Sequence, residues 1–155
     1  MYQHIMVPLD GSELAECVLP HVEAIAGGCK VSKVTLVRVV APLHLYGGVE
    51  FSISPEERQR LEVDSMDIAR NYLDEMVKRL RDNGIVAQSE VLFGNVIDEL
   101  VEYADKNKVD LIVIATHGRS GVGRWVWGSD ADRILRSAHV PVLMVRVPSY
   151  VALDI

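Results

Sequence analysis

The stretch Leu111-Ile112-Val113-Ile114-Ala115-Thr116-His117-Gly118-Arg119-Ser120-Gly121-Val122-Gly123-Arg124-Trp125-Val126-Trp127-Gly128-Ser129 reads as a strand, a glycine-rich loop and the start of a helix. Leu111 to Ala115 is apolar without a break, the pattern of a strand covered on both faces. Ser129, with Asp130 and Asp132 behind it, opens a helical pattern that runs to Ser137. The glycines between them let backbone N–H groups turn toward an anion at close range, and the helix start adds partial positive charge. A strand that ends in such a loop predicts a nucleotide or another phosphorylated ligand. The loop fits neither common glycine motif. A P-loop starting at Gly118 needs Lys and Ser/Thr after Gly123, where Arg124 and Trp125 stand, and Gly121-x-Gly123 lacks a third glycine at Val126.

Outward from this stretch the same unit repeats. Strands are expected at Ile5 to Leu9, Val34 to Val40 and Val140 to Val147, with a weaker, more alternating run from Val86 to Phe93 nearer a sheet edge. Helices are expected from Leu14 to Ala26, opened by Ser12 and closed by Gly27-Gly28, and from Val96 to Lys106. A long amphipathic helix from Pro55 to Asp82 carries Leu61, Met66, Ala69, Leu73, Met76 and Leu80 on its apolar face and stops at Asn83-Gly84. Strand and helix alternate throughout. The fold class expected is α/β: a single-domain, doubly wound, open parallel five-stranded sheet with helices on both faces. Ligands of such sheets bind outside the carboxyl ends of the strands at a switch point, and Asp10, Val39 and the Gly118 loop all fall at strand ends. The connection Ala41 to Ser54 reads either as a lid or as an irregular crossing.

The 155 residues suit one domain, taken as 1–147 with a C-terminal tail at 148–155. A composition 49% hydrophobic and 25% charged is that of a folded protein, which argues against disorder. Sixteen Lys+Arg against 22 Asp+Glu give a net charge of −6, which repels a phosphate backbone and speaks against nucleic acid as a partner. Cys17 and Cys29 form no disulfide or metal pattern and read as reduced, buried thiols. The five histidines show no metal spacing. The first residues carry no basic flank and reach Pro8 and Asp10 quickly, so neither a signal peptide nor a membrane span is expected, and the location inferred is cytoplasmic.

Several blocks together resemble the universal stress protein family nearly from end to end. They are Ile5-Met6-Val7-Pro8-Leu9-Asp10-Gly11-Ser12, Val34-Thr35-Leu36-Val37-Arg38-Val39, Asp110 to Gly121, Gly128-Ser129 and Val140-Pro141-Val142-Leu143-Met144-Val145. The resemblance implies an adenine nucleotide α-hydrolase-like fold and a cytoplasmic, stress-associated module that binds ATP or AMP, with Mg²⁺ reaching ATP through its phosphates. ATP-binding members carry glycine, two residues, glycine, nine residues, glycine and Ser or Thr. Gly118 and Gly128-Ser129 match the later part, and Ala115 stands at the first glycine.

By that resemblance Asp10 holds ribose hydroxyls or the adenine end, Pro8 and Leu9 form a wall, and Val39 offers backbone groups to adenine. Thr116, His117, Gly118, Arg119, Gly121, Gly128 and Ser129 surround the phosphates. Plainer readings stand beside these: Asp10 as the cap of a turn, Val39 as a sheet residue, Gly121 as turn geometry, Ser129 as a helix N-cap and Arg119 as a solvated side chain. His117 has no base-and-nucleophile arrangement around it, so no catalytic residue is assigned. The resemblance also implies a homodimer through the last strand, Val140 to Val147, an apolar edge in need of cover. Two other readings remain open. One is a member that has lost the nucleotide and acts through protein contacts, as Ala115 suggests; the other, ranked last, is a slow ATP hydrolase.

Overall fold

The computed structural model describes residues 1–43, 53–116 and 128–148. Among the described residues the chain runs β1 (His4–Pro8), a 3-10 turn (Ala15–Val18), α1 (Leu19–Cys29), β2 (Lys33–Val40), α2 (Pro55–Asp82), β3 (Ala87–Phe93), α3 (Val96–Lys106), β4 (Leu111–Thr116), α4 (Gly128–Ser137) and β5 (Val142–Arg146). The strands form one parallel sheet in the order β3-β2-β1-β4-β5, the doubly wound α/β architecture expected. β3, with the more alternating sequence, is an edge strand.

Alternation along the central strands sorts the core into two layers. Ile5, Val7, Val34, Leu36, Leu111 and Val113 pack with Val18, Leu19 and Val22 and with Leu73, Val77 and Leu80, beneath α1 and α2. Met6, Val37, Ile112 and Ile114 face the other way, onto Ile97, Leu100 and Ala104 of α3 and Ala131 and Ile134 of α4. Each fully buried aliphatic side chain contributes roughly 1.5–3 kcal/mol of transfer free energy. The central strands are predominantly apolar because both faces are covered.

Helix ends follow their local chemistry. Ser54 and Glu57 form a reciprocal capping box ahead of α2, with N–H to oxygen distances of 3.1 Å each way, and Pro55 takes the first position. Asn95 Oδ1 accepts from the Ile97 and Asp98 amides at 3.1 and 3.3 Å. Three expectations need correction. The first α-helix begins at Leu19 rather than Leu14, because Pro20 lacks an N–H and is tolerated only in the first turn, and a 3-10 turn precedes it. It also runs through Gly27 and Gly28 to Cys29, where Lys30 takes the left-handed conformation (φ 52°) and donates its N–H to Ala26 O. α4 starts at Gly128, so Ser129 is a helical residue and not the cap before the helix.

Smaller differences concern exposure. Leu61 is 45% exposed, so the apolar face of α2 that reaches the core begins at Ala69. Cys17 and Cys29 are free thiols, as expected, but only half-buried. No described helix is long and apolar enough to cross a membrane.

At the amino ends of the strands, His4 is 5% exposed and both ring nitrogens are engaged. Nδ1 lies 3.1 Å from the Asn107 carbonyl, which can only accept, so Nδ1 carries the proton. Nε2 then accepts from the Thr35 hydroxyl at 2.8 Å, and Thr35 Oγ1 accepts from Gln88 Nε2 at 3.1 Å. Burial pushes the His4 pKa below its ordinary value, helped by Lys33 and opposed by the Asn107 carbonyl and Asp110. The folded state therefore binds fewer protons than the unfolded one. Stability is complete above the unfolded value of about 6.5 and falls as the pH drops through it, by at most about 1.4 kcal/mol per pH unit. Urea titrations between about pH 7.5 and 5.5 are expected to show this slope in the natural chain and lose it in His4→Gln. An equal slope in both proteins would contradict the assignment.

Candidate functional site

All carboxyl ends of the sheet lie on one side, and the strand order places the switch between β1 and β4. The main chain of β1 explains why the pairing ends early there. Gln3 O accepts from Lys33 N (3.0 Å) and Leu9 N donates to Val37 O (2.9 Å), so the odd positions of β1 bond toward β2. The even positions turn toward β4, as the bond from Asp110 N to His4 O (3.0 Å) confirms. The next even donor after Met6 is position 8, a proline with no N–H. Registered β1–β4 pairing accordingly stops at Met6↔Ile112, whereas β1–β2 continues to Pro8↔Val37 and β4–β5 to Thr116↔Arg146.

Asp10 stands at the mouth of this opening, two residues past β1 and half-buried. Its Oδ1 accepts from the Ser12 amide at 2.8 Å and from the Ser12 hydroxyl at 2.6 Å, and Ser12 Oγ accepts from Ala15 N at 3.2 Å. The plain turn-capping reading of Asp10 is thus realised, and it fixes the carboxylate at the strand end. Between them Gly11 has φ +88°, a conformation L side chains rarely adopt.

Val39 is the penultimate residue of β2. Val37 O faces β1, whereas Val40 O accepts from Gly94 N on the β3 side, so by alternation the Val39 peptide groups face the β1 side, beyond the end of β1. Pro8 and Leu9 are buried, Leu9 within the α1/α2 core, and Thr116 ends β4 half-buried with its carbonyl accepting from Val147 N at 2.9 Å. Ala115 is an ordinary strand residue, 6% exposed and packed in the α1/α2 core, and it is not among the positive-φ residues. Gly128 and Ser129 form the first turn of α4, whose N-terminus follows β4. His117, Gly118, Arg119 and Gly121 lie outside the described residues.

The structure adds residues the sequence reading passed over. The Arg38 guanidinium lies 5.7 Å from the centroid of the Tyr72 ring, and Tyr72 donates its hydroxyl to Glu16 Oε1 at 3.1 Å. Burial, then the charge of Glu16 and its hydrogen bond, then the charge of Asp10, push the Tyr72 pKa well above its ordinary value, while Arg38 opposes them. A cation inside the otherwise apolar run Val34 to Val40 was the available signal for Arg38. Tyr72, on a helix far along the chain, gave none. No cluster of three or more potential metal ligands occurs among the described residues.

Comparison with known proteins agrees with the fold. The family model described as "Universal stress protein family" matches residues 1–146. Universal stress protein MJ0531 of Methanocaldococcus jannaschii is 30% identical over 150 residues, covering 96% of this chain and 84% of its own. The solved structure of MJ0577 from the same organism superposes with a TM-score of 0.79 at 28% identity, covering 96% of this chain and 99% of that one. The universal stress protein of Archaeoglobus fulgidus in complex with dAMP has a TM-score of 0.63 at 24% identity, covering 94% of this chain and 98% of that one. Two further structures of this fold hold cAMP (TM-score 0.63, 23% identity) and AMP (TM-score 0.67, 14% identity).

The geometry at Gly11 makes a direct prediction. A Cβ there would stand 2.8 Å from Arg38 Nη1, on a backbone already at positive φ. Gly11→Ala is expected to destabilise the fold by about 1–3 kcal/mol in a urea midpoint measurement. A loss below about 0.5 kcal/mol, the usual range for a surface change, would contradict this reading of the turn.

Proposed function

We propose, from the premise that this chain belongs to the universal stress protein family, that it binds an adenine nucleotide, ATP or AMP, at the cleft between β1 and β4. The carrying observation is the early end of β1–β4 pairing at the topological switch point, which supports a site bounded by Asp10, the Val39 peptide and Thr116. In this reading Asp10 accepts from ribose hydroxyls and the Val39 N–H and C=O meet the adenine edge. Pro8 and Leu9 back the site. His117, Gly118, Arg119 and Gly121 join the first turn of α4, Gly128 and Ser129, in enclosing the phosphates, and Mg²⁺ enters with ATP on its phosphate oxygens. The dAMP, AMP and cAMP complexes of relatives support an adenine nucleotide as the ligand class.

Ala115 no longer argues against this function. Its methyl packs in the core on an extended strand, so the position needs neither the φ range nor the missing side chain of glycine.

The binding unit is residues 1–147, with 148–155 as a tail, and it works in the cytoplasm as a dimeric regulatory module in which nucleotide occupancy selects partners. β5 supports the dimer: it is a sheet edge, and Leu143 on it is 37% exposed.

Titration calorimetry with ATP, ADP and AMP tests the proposal. Wild-type protein is expected to bind at least one of them, Asp10→Ala to weaken that binding by tenfold or more, about 1.4 kcal/mol, and Ala115→Gly to leave it within about threefold. Absence of binding by all three nucleotides to folded protein would favour the reading of a family member that acts through protein contacts alone.

A further inference from the structure

We infer that Arg38 is a positioning residue that braces the Asp10-Gly11-Ser12 turn from beneath; its role in ligand binding rests on the nucleotide reading above. Arg38 is half-buried near the carboxyl end of β2, and its guanidinium is packed between two surfaces. On one side lies the Tyr72 ring of α2, 5.7 Å from ring centroid to Cζ. On the other lies Gly11, so close that a Cβ there would come within 2.8 Å of Nη1, 3.0 Å of Cζ and 3.2 Å of Nη2. A planar cation suits such a position, because it attracts the ring face and fits close against a peptide that has no side chain.

The contacts close into a loop. Tyr72 is held by its hydroxyl on Glu16 at 3.1 Å, Glu16 belongs to the 3-10 turn, and that turn is tied back to Ser12 through Ala15 N at 3.2 Å. Ser12 in turn holds Asp10 Oδ1. Asp10, Arg38 and Glu16 all act electrostatically on the same phenol, so a positive charge sits among two carboxylates at this end of the sheet. Removing it takes one cation away from this group of charges and removes the side chain that packs against Gly11. Asp10 then loses the fixed direction on which its ligand contacts depend.

Hydrogen exchange and nucleotide titration of Arg38→Met, with Arg38→Lys as a second variant, test this. The Ser12 amide reports the turn directly, because it donates to Asp10 Oδ1 at 2.8 Å. In Arg38→Met its exchange is expected to quicken tenfold or more while the Met6 amide in the sheet stays as in wild type. AMP affinity is expected to fall about tenfold, as for loss of one well-made contact. Arg38→Lys, which keeps the charge and loses the planar group against Gly11, is expected to fall between. In an Asp10→Asn background Arg38→Met is expected to cost less than about twofold in affinity, since its effect passes through Asp10.

Unchanged Ser12 exchange in both Arg38 variants overturns the brace. A full affinity penalty in the Asp10→Asn background overturns the indirect role and makes Arg38 a direct ligand contact. Wild-type protein that binds no adenine nucleotide overturns the functional reading instead, and the Ser12 exchange still decides whether Arg38 holds the turn.

Discussion

The site depends on a hydrogen bond that Pro8 cannot make. In a parallel sheet each strand donates alternately left and right, and position 8 is where β1 would next donate toward β4. A proline there lets β1 keep its pairing with β2 while its ladder to β4 ends at Met6. β1 crosses over to β2 on one side and β4 to β5 on the other, which makes the gap between β1 and β4 the switch point at which such sheets bind ligands. Asp10 follows β1 by two residues and Thr116 ends β4, and the Val39 peptide faces the β1 side because β2 outlasts β1.

This dependence explains which parts of the molecule were legible in the sequence. Strands β1, β2 and β4 stood out as β-branched runs because each is covered on both faces, and β3 was recognisable as an edge by its alternation. α2 and α3 were legible at both ends, since Ser54 with Pro55 and Asn95 are local capping signals. The ends of α1 were not. Gly27-Gly28 resembles a stop signal, yet both are exposed in the last turn of α1, where glycine costs only about 1 kcal/mol each and the earlier turns pack on the core. The true stop, Lys30 at positive φ, carries no residue-type signal.

The candidate site was legible to the same degree. Asp10, Val39 and Thr116 were found at strand ends because strand ends are local features of the pattern. Arg38, Tyr72 and Glu16 were not, because their association is tertiary: α2, β2 and the turn after β1 meet only in the folded chain. Ala115 shows the reverse case. The sequence offered a missing glycine, and the structure shows why alanine fits the backbone there: the position is in a strand and its methyl is core.

The most direct test of the account is a nucleotide titration followed by amide chemical shifts across the whole chain. Binding at the cleft that Pro8 opens predicts the largest ATP- or AMP-induced shifts at Leu9 to Ser12, at Val39 and Val40, at Thr116 and in the first turn of α4 from Gly128, with the amino-end cluster around His4 and Thr35 unmoved. Saturable shifts centred elsewhere, for instance along the outer face of α3 or the edge of β3, would contradict the account.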